Sequence, residues 1–134
     1  MREIEAISGV FLNNEKDRAL FLRRSQHRTY SANQWDLMGG DIESGETPQV
    51  TLARDALQKL NITSIKVMET IDVNTQETDA IITRHVFVCI GDYSSLKIDT
   101  KKYYQHGWFT AKGITSMNLT NHAYIVLQTI GFTN

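Results

Sequence analysis

"GGDIESGETPQVTLARDALQKLNI", residues 39–62, opens on a glycine pair, runs through an acidic loop and ends in an amphipathic segment. Thr47 can cap free backbone N–H groups, and Pro48 suits the first helical position, so a helix is expected to start there. Val50, Ala53, Leu57 and Leu60 recur at spacings of three and four, which predicts one apolar face turned to the core. Asn61 is the expected C-terminal stop. Asp55, Gln58 and Lys59 stand at i, i+3 and i+4 and so share a second, polar face. Arg54 lies beside that face, within reach of Glu46 or Glu43 across the turn from loop to helix. The stretch therefore predicts a helix with a buried side and a side built for chemistry.

Outward from this helix, strands and helices mix without strict alternation, which indicates an α+β domain of layered sheet and helix. "EIEAISGVFLNN" and "RALFLRR" read as two strands, with "NNEKD" as the turn of a hairpin between them. "SQHRTYSANQ" is a polar loop. "SIKVMETIDV" and "AIITRHVFVCIG" are long strands joined by "NTQETD", "DYSSLKIDTKK" is a surface loop, and "YYQHGWFT" is a short strand. "LTNHAYIVLQTIG" predicts a second helix, capped by Thr120 and ended by Gly131. The 134 residues suit a single domain over 1–134, and 41% hydrophobic content supplies one sizeable core.

A net charge of −1 gives no global basic field to recruit nucleic acid, and no polybasic tract points to a membrane surface. An anionic ligand must then be held by a local cluster. No stretch approaches the roughly 20 apolar residues of a membrane span, and the N-terminal segment does not read as a signal peptide. The single cysteine, Cys89, rules out a disulfide within the chain and reads as a buried small hydrophobe. Such low cysteine use fits a reducing compartment, and a cytoplasmic location is expected.

The opening stretch resembles the Nudix box of the Nudix (MutT-like) hydrolase family. That signature is Gly, five residues, Glu, seven residues, then Arg-Glu-aliphatic-any-Glu-Glu-any-Gly-aliphatic. Gly40, Glu46, Arg54 and Ile62 fit it. Asp55 replaces the first Glu of the helix by a shorter carboxylate, and Ala56 stands at the aliphatic position. Gln58 and Lys59 stand where the Glu-Glu pair belongs, and Asn61 replaces the Gly. Trp35 ahead of Gly39 and Gly40 is similar to the family's W-x-x-x-G-G approach, and "GWF" at 107–109 is similar to its late strand. The order of elements is similar over essentially the whole chain.

The resemblance implies a Nudix fold, an α/β/α sandwich with a mixed sheet between helices. It also implies cleavage of a pyrophosphate bond in a nucleoside diphosphate-linked substrate, with Mg²⁺ or Mn²⁺ on the box carboxylates. By that correspondence Glu46, Arg54 and Asp55 are the catalytic candidates, and Gly40, Glu43, Glu46, Asp55 and Gln58 the metal candidates. Many members add a distant Glu before the late strand, where this chain offers Asp99 alone. The resemblance allows a homodimer.

Charge at the box departs from the family. Four acidic positions carry −4 there, whereas Glu46, Asp55, Gln58 and Lys59 sum to −1 here. Protonated lysine offers only donors. At about 4 Å and an effective dielectric near 20, each unit charge pair is worth about 4 kcal/mol, so Lys59 opposes a divalent ion. Two readings follow. One is a hydrolase whose site is rebuilt around Asp41, Glu43, Glu46, Asp55 and Asp99, with Lys59 stabilising phosphate charge. The alternative is a catalytically inactive module that binds a nucleotide or diphosphate, with no metal required. A third is an interaction domain without a small ligand, which no residue supports directly.

Arg23, Arg24, His27 and Arg28 cluster in and before the polar loop. They read either as an anion clamp at the mouth of the site or as a solvated surface. Arg23, Arg28, Lys59 and Trp108 are the substrate-binding candidates, with Arg84 as a further cation. Tyr103, Tyr104 and Trp108 suit either base stacking or core packing. His27, His85, His106 and His122 show no metal-ligand spacing and read as polar or hydrogen-bonded residues.

Overall fold

The computed structural model describes residues Met1–Asn134. Its elements are β1 (Arg2–Phe11), β2 (Arg18–Arg24), β3 (Trp35–Asp36), β4 (Met38–Asp41), α1 (Pro48–Leu60), β5 (Ile65–Glu77), β6 (Ala80–Gly91), β7 (Tyr103–Thr110) and α2 (Asn121–Ile130). A short 3₁₀ turn at Gly113–Ser116 precedes α2. One sheet has the order β4-β1-β6-β5, with β1 parallel to β6 and antiparallel to β4. The other is antiparallel, β3-β2-β7.

Side chains alternate across a strand, and here that alternation serves two cores at once. Ile7, Phe11, Leu20, Leu22, Phe87 and Cys89 face Leu52, Ala56 and Leu60 of α1. Their neighbours Val10, Ala19, Phe21, Val86 and Val88 face Ala123, Val126 and Leu127 of α2. Strands β1, β2 and β6 are thus apolar on both sides because each side is covered by a helix, the layering of an α/β/α sandwich. Cys89 is fully buried among these side chains, and burial pushes its thiol up to about 12. No helix is long and apolar enough to cross a membrane.

Both helix caps stand where the sequence puts them. Thr47 accepts from the Val50 N–H at 3.2 Å, and Asn61 takes the left-handed conformation at φ 54°. Thr120 caps α2, and Gly131 ends it at φ 81°.

Three expectations need correction. The apolar stripe of α1 is not Val50, Ala53 and Leu57. Val50 is 52% and Leu57 49% exposed, while Thr51, Leu52, Asp55, Ala56, Lys59 and Leu60 are buried. Leu60 borders both stripes, and Asp55 and Lys59 can enter the buried side because they neutralise each other. The β1–β2 hairpin reduces to one isolated bridge, Leu12 to Ala19, after which the strands join different sheets. The side-chain carbonyl of Asn13 accepts from the backbone N–H groups of Asp17 and Arg18, which turns the chain tightly at this point. Finally, β5 continues through Glu77, so residues 74–77 pair with β6 instead of linking to it.

Candidate functional site

The end of β4, the acidic loop and the first turns of α1 converge on Arg54. Its guanidinium grips Glu46 with two bonds, Nε to Oε2 and Nη2 to Oε1, both 2.9 Å. This fork geometry is among the stronger pairings available to a carboxylate. Nη1 also lies 3.2 Å from Asp55 Oδ1 and 3.4 Å from Glu43. The Thr51 hydroxyl and the Glu43 backbone N–H donate to Glu46 as well, at 3.0 and 3.2 Å. The Arg54 bond is the main cause that holds the Glu46 carboxyl down at about 2.

On the inner side of α1, Lys59 Nζ donates to the Gly39 carbonyl and lies 3.4 Å from Asp55 Oδ2. Asp55 Oδ2 has no hydrogen bond of its own. A Cβ on Gly40 would stand 2.1 Å from Asp55 Oδ2 and 3.0 Å from Lys59 Nζ, so the glycine is required by this close approach. Gln58 points outward and is exposed. Asp99 accepts from the Lys101 N–H at 3.0 Å and does not join the box carboxylates.

These residues do not fit a divalent ion. No group of three or more His, Cys, Asp or Glu side chains is arranged to hold a metal anywhere in the chain. Of the residues the family pattern marks for metal, Glu46 has both oxygens on Arg54, while Glu43 and Gln58 are exposed. The oxygens of Gly39 and Asp55 are of the type a hard cation takes, but the Lys59 ammonium already lies against them.

Beside the box lies a cavity of about 420 Å³. Five cations line it: Arg24, Arg28, Lys59, Arg84 and Lys102. Three carboxylates, Asp36, Asp41 and Glu77, face them. Asp36 is buried and bonds Arg24 at 3.2 Å, Thr120 at 3.1 Å and His122 at 3.0 Å. Burial pushes its carboxyl up, but His122 and Arg24 outweigh that and hold it below the usual range. Arg84 is fixed by Thr75 at 3.1 Å and Glu77 at 3.2 Å. Arg28 and Lys102 form no ion pair. Burial lowers the Lys59 pKa, Asp55 opposes the shift, and Lys102 and Arg28 add to it, so these three cations share one field. A roomier cleft of about 590 Å³ beside α2 contains no charged side chain.

Of the substrate-binding candidates, Arg28 and Lys59 line the charged cavity, and Arg23 and Trp108 do not. Arg23 stacks on Tyr104 and Trp35 at 5.1 and 5.9 Å, and Trp108 meets Tyr93 edge-on at 4.8 Å. Asp36, Glu77, Lys102 and His122 were not identified from sequence as parts of a site. Asp36 fills a variable position of the Trp35–Gly40 approach and the other three belong to no motif, so only the topology brings them together.

A family model for the NUDIX domain matches residues 4–123. The chain belongs to the Nudix family. The MutT protein of Methanosarcina mazei Go1 has a similar solved structure, with TM-score 0.76, 23% identity and coverage of 92% of this chain and 88% of that one. The MutT Nudix hydrolase of Burkholderia pseudomallei aligns at TM-score 0.80 and 16% identity, over 97% and 99% of the two chains. The Nudix domain of Shewanella oneidensis NrtR, complexed with ADP-ribose, aligns at TM-score 0.75 and 16% identity, over 98% and 88%. No curated protein sequence matches the chain. Nudix hydrolases generally use divalent metal ions.

Proposed function

We propose that this Nudix domain binds a nucleotide or other diphosphate-bearing small molecule in the charged cavity and does not cleave it by the family's metal-dependent route. The observation that carries this reading is the set of five cations around one cavity, two of them without a carboxylate partner. Three carboxylates in the lining offset part of this charge, and the excess of cations, with Arg28 and Lys102 unpaired, favours an anion in the cavity. Phosphate oxygens accept several charge-assisted hydrogen bonds at once, and arginine and lysine are the groups that donate them. The ADP-ribose held by the structurally similar NrtR domain supports a ligand of this class.

Hydrolysis is the competing reading, and one observation favours it. Glu46, Arg54 and Asp55 remain together at the box, with Glu43 beside them. Yet Glu46 has both oxygens on Arg54, and Asp55 is shared between Arg54 and Lys59, which accounts for their presence structurally.

The deciding experiment is turnover by mass spectrometry over nucleoside triphosphates, dinucleoside polyphosphates, nucleotide sugars, ADP-ribose and NADH, with Mg²⁺ and then Mn²⁺. The native chain is run beside the double substitution Gln58→Glu, Lys59→Glu, and binding of each compound is recorded in parallel. Binding without turnover by the native chain is the expected result. Metal-dependent turnover by the native chain overturns the reading.

A further inference from the structure

Lys59 deepens the ligand-binding reading and rests on it. An ammonium has three N–H donors. One goes to the Gly39 carbonyl, and the charge lies 3.4 Å from Asp55 Oδ2 as an ion pair without a hydrogen bond. A carbonyl and a carboxylate oxygen are also what a hard divalent cation seeks. The placement is tight, since a Cβ on Gly40 would touch both Asp55 and Lys59. The Lys59 side chain is only 11% exposed, yet it lines the cavity with Arg28 and Lys102, and the Gly39 carbonyl takes only one of its three donors. Asp55 is 2% exposed, and its Oδ2 has no hydrogen bond. The ammonium is therefore the counter-charge on that side of the carboxylate.

We infer that Lys59 is a tethered counter-cation that takes the divalent ion's place between the box and an anionic ligand. A phosphate oxygen docks on the ammonium directly, and anion binding needs no divalent metal. The lysine stem fixes the cation to α1, so the site stays charged at any metal concentration. The carboxylate of Asp55 then serves to hold the ammonium in position instead of holding a metal.

The test is titration calorimetry of inorganic pyrophosphate into the full chain, in excess chelator and again with Mg²⁺. Lys59→Met removes the cation and leaves Asp55 with Arg54 as its one counter-charge. The double variant Asp55→Asn, Lys59→Met removes both charges and leaves no buried ion unpaired, and thermal melts verify that it folds. The native chain is expected to bind in excess chelator, and both variants to bind roughly tenfold to a hundredfold more weakly, as befits one charged hydrogen bond. Native binding that appears only with Mg²⁺, or a folded double variant that binds as tightly as the native chain, overturns the inference. A native chain that binds no pyrophosphate in either buffer defeats the ligand-binding reading itself.

Discussion

Glu46 and Arg54 are the residues of the box whose pairing can be read directly from their spacing. A carboxylate in the loop and a guanidinium two turns into the helix meet across the N-terminal end of α1, and the structure joins them with two bonds of 2.9 Å. The Glu46 carboxyl falls from 4.5 to about 2 because it is bonded to Arg54. A lowered folded-state pKa contributes stability that is full above the unfolded value and fades as pH falls. Acid melts between pH 4.5 and 2 should therefore lose a stabilising contribution that Glu46→Gln lacks at every pH. A variant whose acid limb matches the native chain would show that the pair does nothing for stability. Arg54→Ala should lower the melting temperature far more than Arg2→Ala. Arg54 serves a carboxylate that is 2% exposed, whereas the Arg2–Asp79 pair is 69% and 73% exposed. Equal losses would contradict the structural role assigned to Arg54. Lys59 was legible in the sequence as a cation at the box, but its burial was not. Lysine is almost never buried unless paired, and its pairing with Asp55 and Gly39 depends on where α1 docks.

At the level of elements, propensity and tertiary packing separate cleanly. The ends of α1 and α2 follow from Thr47, Pro48, Asn61, Thr120 and Gly131, since capping is local chemistry. The docking face of α1 does not follow, because the stripe that docks carries Thr51, Asp55 and Lys59 and is the less apolar of the two, so the sheet and the ion pair decide the choice. Leu52→Ala should cost about 2–5 kcal/mol. Leu57→Ala, at a half-exposed position, should stay within about 0.5 kcal/mol. Denaturant unfolding measures both, and the reverse order would return the helix to the face read from sequence. His85 tests the pairing of β1, β6 and β5 in the same way, since its ring bonds Glu5 at 3.0 Å and Asp72 at 2.8 Å. Burial pulls the imidazolium down, but the two carboxylates outweigh it and hold its pKa above 6.5. A raised folded-state pKa gives stability that is full below 6.5 and lost as pH rises through the higher folded value. Melts across that window should show the decline in the native chain and a flatter profile in His85→Gln.

For the whole molecule, the mix of strands and helices made an α+β layered domain legible, and the family resemblance supplied the α/β/α sandwich, which the structure shows as three strands with a core on each side. The family signature carried that resemblance although its charge is altered at two helix positions. The cavity was only half legible. Arg28 and Lys59 stand out beside the box, but Arg84 comes from β6, Lys102 from the loop before β7, and His122 from α2. No local pattern links those segments, and long-range sheet order alone places them around one space. The central claim is that this space holds a diphosphate on protein cations without a metal. A crystal structure of the chain with ADP, grown in excess chelator, tests it most directly. The expected result is a diphosphate among Arg28, Lys59 and Lys102, with the ammonium still on the Gly39 carbonyl. ADP bound elsewhere, or bound only when a divalent ion is supplied and Lys59 has turned away from Asp55, would contradict it.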